Sequence, residues 1–133
     1  MRKFRPCLLI ISMLLICLML PGCDSSHVSH FKAVALVRTG DSDSGSLSFY
    51  KLSGKYVFKM KSDDDECIRY KGEIEDGTIK VYCDNGGTMT DLFSLESGEE
   101  VDDKSEPLEK GTTYIIIETD GEVENGKLEF EIK

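Results

Sequence analysis

Tryptophan is absent from this sequence, histidine occurs twice and proline three times. Both histidines, His27 and His30, lie in the first quarter of the chain. The long remainder therefore has no imidazole, which excludes Ser-His-Asp and Cys-His hydrolase chemistry within it. Basic side chains are also scarce: 16 Lys and Arg oppose 25 Asp and Glu, for a formal charge of −9. Three of the bases, Arg2, Lys3 and Arg5, sit at the start, in a stretch without an acid. From Cys23 onward, 13 bases face 25 acids, a charge of −12. Phosphate recognition needs a concentrated basic surface, so nucleic acid is not a partner. Long amphipathic helical periods are missing, which argues against a bundle. The 133 residues suit one ordinary domain and are too few for two.

Only one long apolar run is present. It extends from Cys7 to Leu20 with Ser12 as its single polar residue. As a helix it spans about 21 Å, short of a hydrocarbon core of about 30 Å. A basic start, a short apolar run and then small residues form a secretion signal rather than a permanent membrane span. The run closes on Leu20-Pro21-Gly22-Cys23. This resembles the lipobox of bacterial lipoproteins: an aliphatic residue, a variable one, a small one, then Cys. The resemblance implies removal of residues 1–22 by cleavage between Gly22 and Cys23, with a diacylglyceryl thioether on the Cys23 sulfur. The thiol supplies the nucleophile, and a fatty acid such as palmitate supplies the anchor. More than one acyl chain gives stable attachment where a single chain does not. The expected location is the cell membrane, on its extracytoplasmic face. Residues 23–30 then form the lipidated end and a short polar tether, and residues 31–133 the folded domain.

From Phe31 onward, short apolar or alternating runs are separated by Gly, Asp, Asn and Ser, the signature of an all-β domain. The clearest strand is Lys127–Lys133, where Leu128, Phe130 and Ile132 share one face and charges the other. Thr113–Glu118 is β-branched and apolar on both faces, so it is expected to be central. Asn125-Gly126 between them suits a tight hairpin turn, with Asp120-Gly121 as a competing turn or bulge. Two more hairpins are expected: Leu47–Leu52 with Lys55–Lys61 about Ser53-Gly54, and Ile68–Glu75 with Thr78–Cys83 about Asp76-Gly77. Phe31–Arg38 and Thr88–Leu95 bring the count to about eight strands. Glu96–Gly111, charged and containing Pro107, reads as a long connection crossing between sheets. The expected fold is an antiparallel β-sandwich, immunoglobulin-like or jelly-roll-like.

Three segments carry a resemblance to the small β-sandwich domains of lipoproteins of Gram-positive bacteria. They are Lys55-Tyr56-Val57-Phe58-Lys59-Met60-Lys61, the unit from Tyr70 to Val81, and Lys110–Glu118 followed by the final alternating strand. The closing Gly111-Thr112-Thr113-Tyr114 strand is also similar to bacterial pre-peptidase carboxy-terminal and carbohydrate-binding jelly rolls. The likeness spans residues 46–133 and implies a fold; it brings no catalytic residue.

Cys7 and Cys17 leave with the signal and Cys23 takes lipid. Cys67 and Cys83 remain as an even pair in an oxidising compartment, where a disulfide is the default and two separate thiols the alternative. Such a bridge would contribute about 3 kcal/mol. A hairpin about Asp76-Gly77 places Tyr70, not Cys67, opposite Cys83, so bridging also requires a bulge near Asp65-Glu66. Three acidic groups, 41–45, 63–66 and 99–103, offer oxygens of the kind used by Ca²⁺. They lack the spacing of an EF-hand and read first as a solvated surface. His27 and His30 have the H-x-x-H spacing of a zinc pair but no third ligand nearby, so they read as spacer. The tyrosines at 50, 56, 70, 82 and 114 fit sheet packing before a sugar-stacking platform. No catalytic residue, metal site or cofactor is expected. The sequence reads as a lipid-anchored, non-enzymatic binding or envelope-interaction module, with an envelope protein or glycan as partner. The alternative is a calcium- or carbohydrate-dependent adhesion domain.

Overall fold

The structure is a computed structural model that describes residues 27–133. The signal peptide, its cleavage point after Gly22 and the lipidation site Cys23 lie outside the described residues. Seven strands follow in order: β1 His30–Val34, β2 Val37–Gly40, β3 Ser44–Ser62, β4 Ile68–Asn85, β5 Thr88–Leu95, β6 Glu100–Lys104 and β7 Gly111–Ile132. All pair antiparallel in one sheet with the path β1-β3-β7-β4-β5, β2 adding to β3 and β6 to β4.

Three of these strands, of 19, 18 and 22 residues, are roughly three to four times the usual length, and they make the fold. The three expected hairpins are not hairpins. Each is one continuous strand, β3, β4 or β7; β3 and β4 bend at the expected turns, whereas β7 runs unbroken through Asn125-Gly126 and bends nearer Asp120-Gly121. The bends align. The register shifts between Ser53 and Lys55 on β3 and between Asp76 and Thr78 on β4, and both shifts face residues 118–124 of β7. Gly54 and Gly77 have φ of 118° and 106°. A Cβ on Gly54 would lie 2.3 Å from the His30 carbonyl oxygen, and one on Gly77 2.8 Å from the Glu122 carbonyl oxygen. Only glycine permits both that torsion and that approach. The Thr119 hydroxyl bridges the crease, accepting from the Gly54 amide at 2.8 Å. Asn125, with φ of 47°, does adopt the left-handed conformation its Asn-Gly signal demands, but inside β7.

Along this crease the sheet folds onto itself as an antiparallel β-sandwich. One layer runs β2-β3-β7-β4-β6, using Ser44–Phe49, Gly126–Ile132 and Ile68–Ile74 of the long strands. The other runs β3-β7-β4-β5, using Lys55–Ser62, Gly111–Glu118 and Thr78–Asn85, with β1 beside β3 at the crease. Aromatic rings meet between the layers: Phe58 and Phe130 at 5.9 Å, Tyr70 and Phe93 at 4.8 Å. Leu47, Phe58, Ile68, Ile79, Ile115, Ile117 and Leu128 are buried in this core. Arg38 covers its edge, with its guanidinium 5.4 Å from the centre of the Phe58 ring. The alternation read in 127–133 holds, and Ile115, Ile116 and Ile117 are all fully buried as expected of a central strand.

Phe31–Arg38 is divided between β1 and β2 at Ala35, whose φ is 52°. The 96–111 connection contains β6 before it crosses between the layers. A polar cluster built on the buried Ser62 and Thr113 fastens that crossing. Asn85 Nδ2 donates to the Glu109 carbonyl at 3.0 Å and to Thr113 Oγ1 at 2.9 Å, and Ser62 Oγ donates to the same carbonyl at 2.8 Å. The Glu109 amide returns a 2.9 Å bond to Asn85 Oδ1.

The expected Cys67–Cys83 bridge is corrected: both are free thiols. Cys67 precedes β4 and its backbone exchanges bonds with Lys133. Cys83 is on the other arm of the same strand, buried in the core beside Ile115. The hairpin that would have set the two arms side by side in one sheet does not form.

Candidate functional site

The two outer faces of the sandwich differ. On the β2-β3-β7-β4-β6 layer, the period-two rule sends the polar half of each strand outward. Pairing then aligns those residues in rungs. Ser46, Glu129, Lys71 and Asp102 form one rung, Ser48, Lys127, Glu73 and Glu100 the next, and Ser44, Glu131, Arg69 and Lys104 a third. A depression of about 620 Å³ lies on this face, lined by Lys71, Glu73, Glu100, Asp102, Lys127 and Glu129 among others. A second, of about 380 Å³, adjoins it through Lys71, Asp102 and Glu129 and extends to Thr39, Ser44 and Ser46. Lys127 pairs with Glu129 at 3.3 Å, and Lys133 with Glu131 at the same distance. Carboxylates outnumber amines on these rungs. The lining of the larger depression offers alternating acceptors and donors and no aromatic side chain, and it suits polar, ionic contacts with a ligand or protein.

The other outer face carries the residues read as a tether. His27 stacks on Tyr114 with ring centres 3.8 Å apart and planes 9° apart. Its Nε2 lies 2.7 Å from Asp84 Oδ2. Ser29 Oγ accepts the Val57 amide at 2.9 Å, continuing the edge of β3 beyond β1. Residues 27–29 thus form a docked strap across the rung Lys59-Tyr114-Asp84. Nothing in the local sequence announces this, because all its partners are 28 to 87 positions away. Tyr82 donates to Glu118 on the same face. Burial, and then that bond, push its hydroxyl far above the ordinary 10.0.

The other residues singled out in the sequence are dispersed. His27 and His30 do not converge, and no group of three potential metal ligands occurs among the described residues. Among the described residues, no hydroxyl or thiol is hydrogen bonded to the His27 imidazole. Two of the acidic groups serve the backbone: Glu66 accepts the Asp63 amide and Glu99 the Glu96 amide, each across a turn, and Asp64 accepts the distant Lys110 amide. Tyr56 and Tyr70 are buried packing residues, and Tyr50 is half-exposed beside Lys51. Cys83 has its thiol pushed above the ordinary 9.0 by burial and by Asp84.

No protein family and no curated protein matches the sequence. Solved structures do. The cupin domain of CENP-C from Drosophila melanogaster is 14% identical, with a TM-score of 0.33 over 83% of each chain. The carbohydrate-binding module TmCBM61, solved with β-1,4-galactotriose, is 16% identical, with a TM-score of 0.36 over 72% of this chain and 66% of its own. A protein of unknown function (DUF1255) from Acidithiobacillus ferrooxidans is 14% identical, with a TM-score of 0.25 over 78% and 93%. Likenesses of this size carry no argument about ligand or partner.

Proposed function

We propose that the protein is a lipid-anchored, extracytoplasmic, non-catalytic binding module of the cell envelope. It is held to the membrane through Cys23 and presents the charged outer face of the β2-β3-β7-β4-β6 layer to a polar or ionic partner. The observation that carries this reading is the broad depression of alternating carboxylates and amines on that face. The Leu20–Cys23 sequence supports the anchor.

A glycan or an envelope protein is the partner class. Calcium- or carbohydrate-dependent adhesion is the second reading, favoured by the size of the depression. Calorimetry of the purified domain with Ca²⁺, a glycan panel and envelope extracts separates the two. The leading reading expects heat with a protein component of the extract, lost in Lys71→Glu and Lys127→Glu and unaffected by Ca²⁺. Turnover of a glycan or peptide, abolished by one acidic substitution on that face, would overturn the non-catalytic reading.

A further inference from the structure

The strap at residues 27–29 fixes more than the end of the chain. Three contacts hold it: the His27 ring on Tyr114, His27 Nε2 on Asp84, and the Val57 amide on Ser29 Oγ. Four peptide steps separate His27 from Cys23. At full extension these reach about 14 Å. Whatever Cys23 is fixed to therefore lies within that distance of the outer face formed by β3, β7 and β4 at their Lys55–Ser62, Gly111–Glu118 and Thr78–Asn85 arms.

The charges on that face are arranged unequally. Its acids are engaged: Asp84 by His27, Glu118 by the Tyr82 hydroxyl and Asp91 by Lys80 at 3.7 Å. Lys59 and Lys61 project outward between buried core residues and are exposed. Lys80 remains 54% exposed despite its partner, and Val28 within the strap is 58% exposed. The exposed amines of Lys59 and Lys61 and the apolar Val28 side chain, on a face where Asp84, Glu118 and Asp91 each have a partner, attract an anionic bilayer surface. They do so although the domain as a whole is strongly acidic.

We infer that this face is a membrane-apposed surface: the docked strap seats Lys59, Lys61 and Lys80 against anionic headgroups and turns the charged depression of the opposite layer away from the bilayer. The inference rests on the lipid anchor at Cys23 and deepens the proposed function by giving the anchored domain a defined orientation.

Lysine acetylation read by mass spectrometry tests it. The full chain, expressed and processed in a bacterium, is labelled in its own membranes and again after detergent extraction. In membranes, labelling at Lys59 and Lys61 falls severalfold relative to detergent, while Lys71, Lys104 and Lys127 on the opposite face are unchanged. Combining His27→Ala with Ser29→Ala keeps the protein in the membrane fraction and equalises the two faces. Equal labelling of both faces in the unaltered protein would overturn the orientation and leave the anchor standing. Persistent protection in the double variant would overturn the role of the strap. Recovery of the protein in the soluble fraction would overturn the anchor and the orientation together.

Discussion

Replacing Gly54 by Ala tests whether the crease in the sheet also holds the strap. The substitution acts in two ways. At φ of 118° a Cβ is strained, at a cost of about 1–2 kcal/mol. The new methyl would also sit 2.3 Å from the His30 carbonyl oxygen and 2.9 Å from Phe31 Cα. Both atoms are backbone of β1, so β1 must move away from Lys51–Lys55. Overpacking of this kind adds about 1–3 kcal/mol. The total is about 3 kcal/mol, or roughly 15 °C in Tm for a domain of this size. Gly87→Ala is the matched control. Its φ is 89° and nothing lies within 4 Å of a Cβ there, so it keeps the strain alone, about 1–2 kcal/mol. Urea denaturation followed by far-ultraviolet circular dichroism gives the two stabilities, since the chain has no tryptophan to report. The imidazole resonances of His27 and His30 give the local effect. In Gly54→Ala the His27 signals lose the ring-current shift of Tyr114, and in Gly87→Ala they keep it. Equal destabilisation by the two substitutions, with His27 unmoved in both, would refute the argument.

Gly126→Ala places a methyl 2.2 Å from the Phe49 ring and is expected to cost about 1–3 kcal/mol; Phe49→Leu in the same chain recovers part of that loss in the same denaturation assay. Asn85→Ala removes the bonds to the Glu109 carbonyl, the Glu109 amide and Thr113. It is expected to cost about 1–3 kcal/mol and to raise amide hydrogen exchange in residues 105–110 before the rest of the domain. Alkaline pH destabilises the fold. Cys83, Tyr56, Tyr70 and Tyr82 all ionise less readily when folded, each because of burial first. Their contribution is complete below the ordinary values of 9.0 and 10.0 and is lost as pH rises from there through the higher folded values, because the unfolded chain then releases protons that the folded chain keeps. Urea midpoints measured from pH 7 to 11 are flat and then fall. Tyr82→Phe flattens the fall, and an unchanged slope in that variant contradicts the assignment.

The side-chain pattern was legible in the sequence and the chain path was not. Alternation placed Leu128, Phe130 and Ile132 inward, and the triple isoleucine at 115–117 marked the central strand, because both are local consequences of which faces are buried. Ser53-Gly54, Asp76-Gly77 and Asn125-Gly126 carry the torsions their residues favour. A positive φ serves a bulge as well as a hairpin, however, and the choice depends on three strands creasing along one line. Pairing across such a crease joins residues dozens of positions apart, which no window of sequence contains. The same limit hid the strap. His27 and Ser29 read as polar spacer until Tyr114, Asp84 and Val57 were brought beneath them. The charged face was half visible: its rungs are the polar halves of strands already recognised, but their alignment into a depression required β6, which lay inside a segment read as a connection.

Mass spectrometry of the amino-terminal peptide from the membrane fraction tests the central reading most directly. The account predicts a chain that begins at residue 23 and carries diacylglyceryl mass on that sulfur. A peptide beginning at Met1, or at an unmodified Cys23, would contradict it.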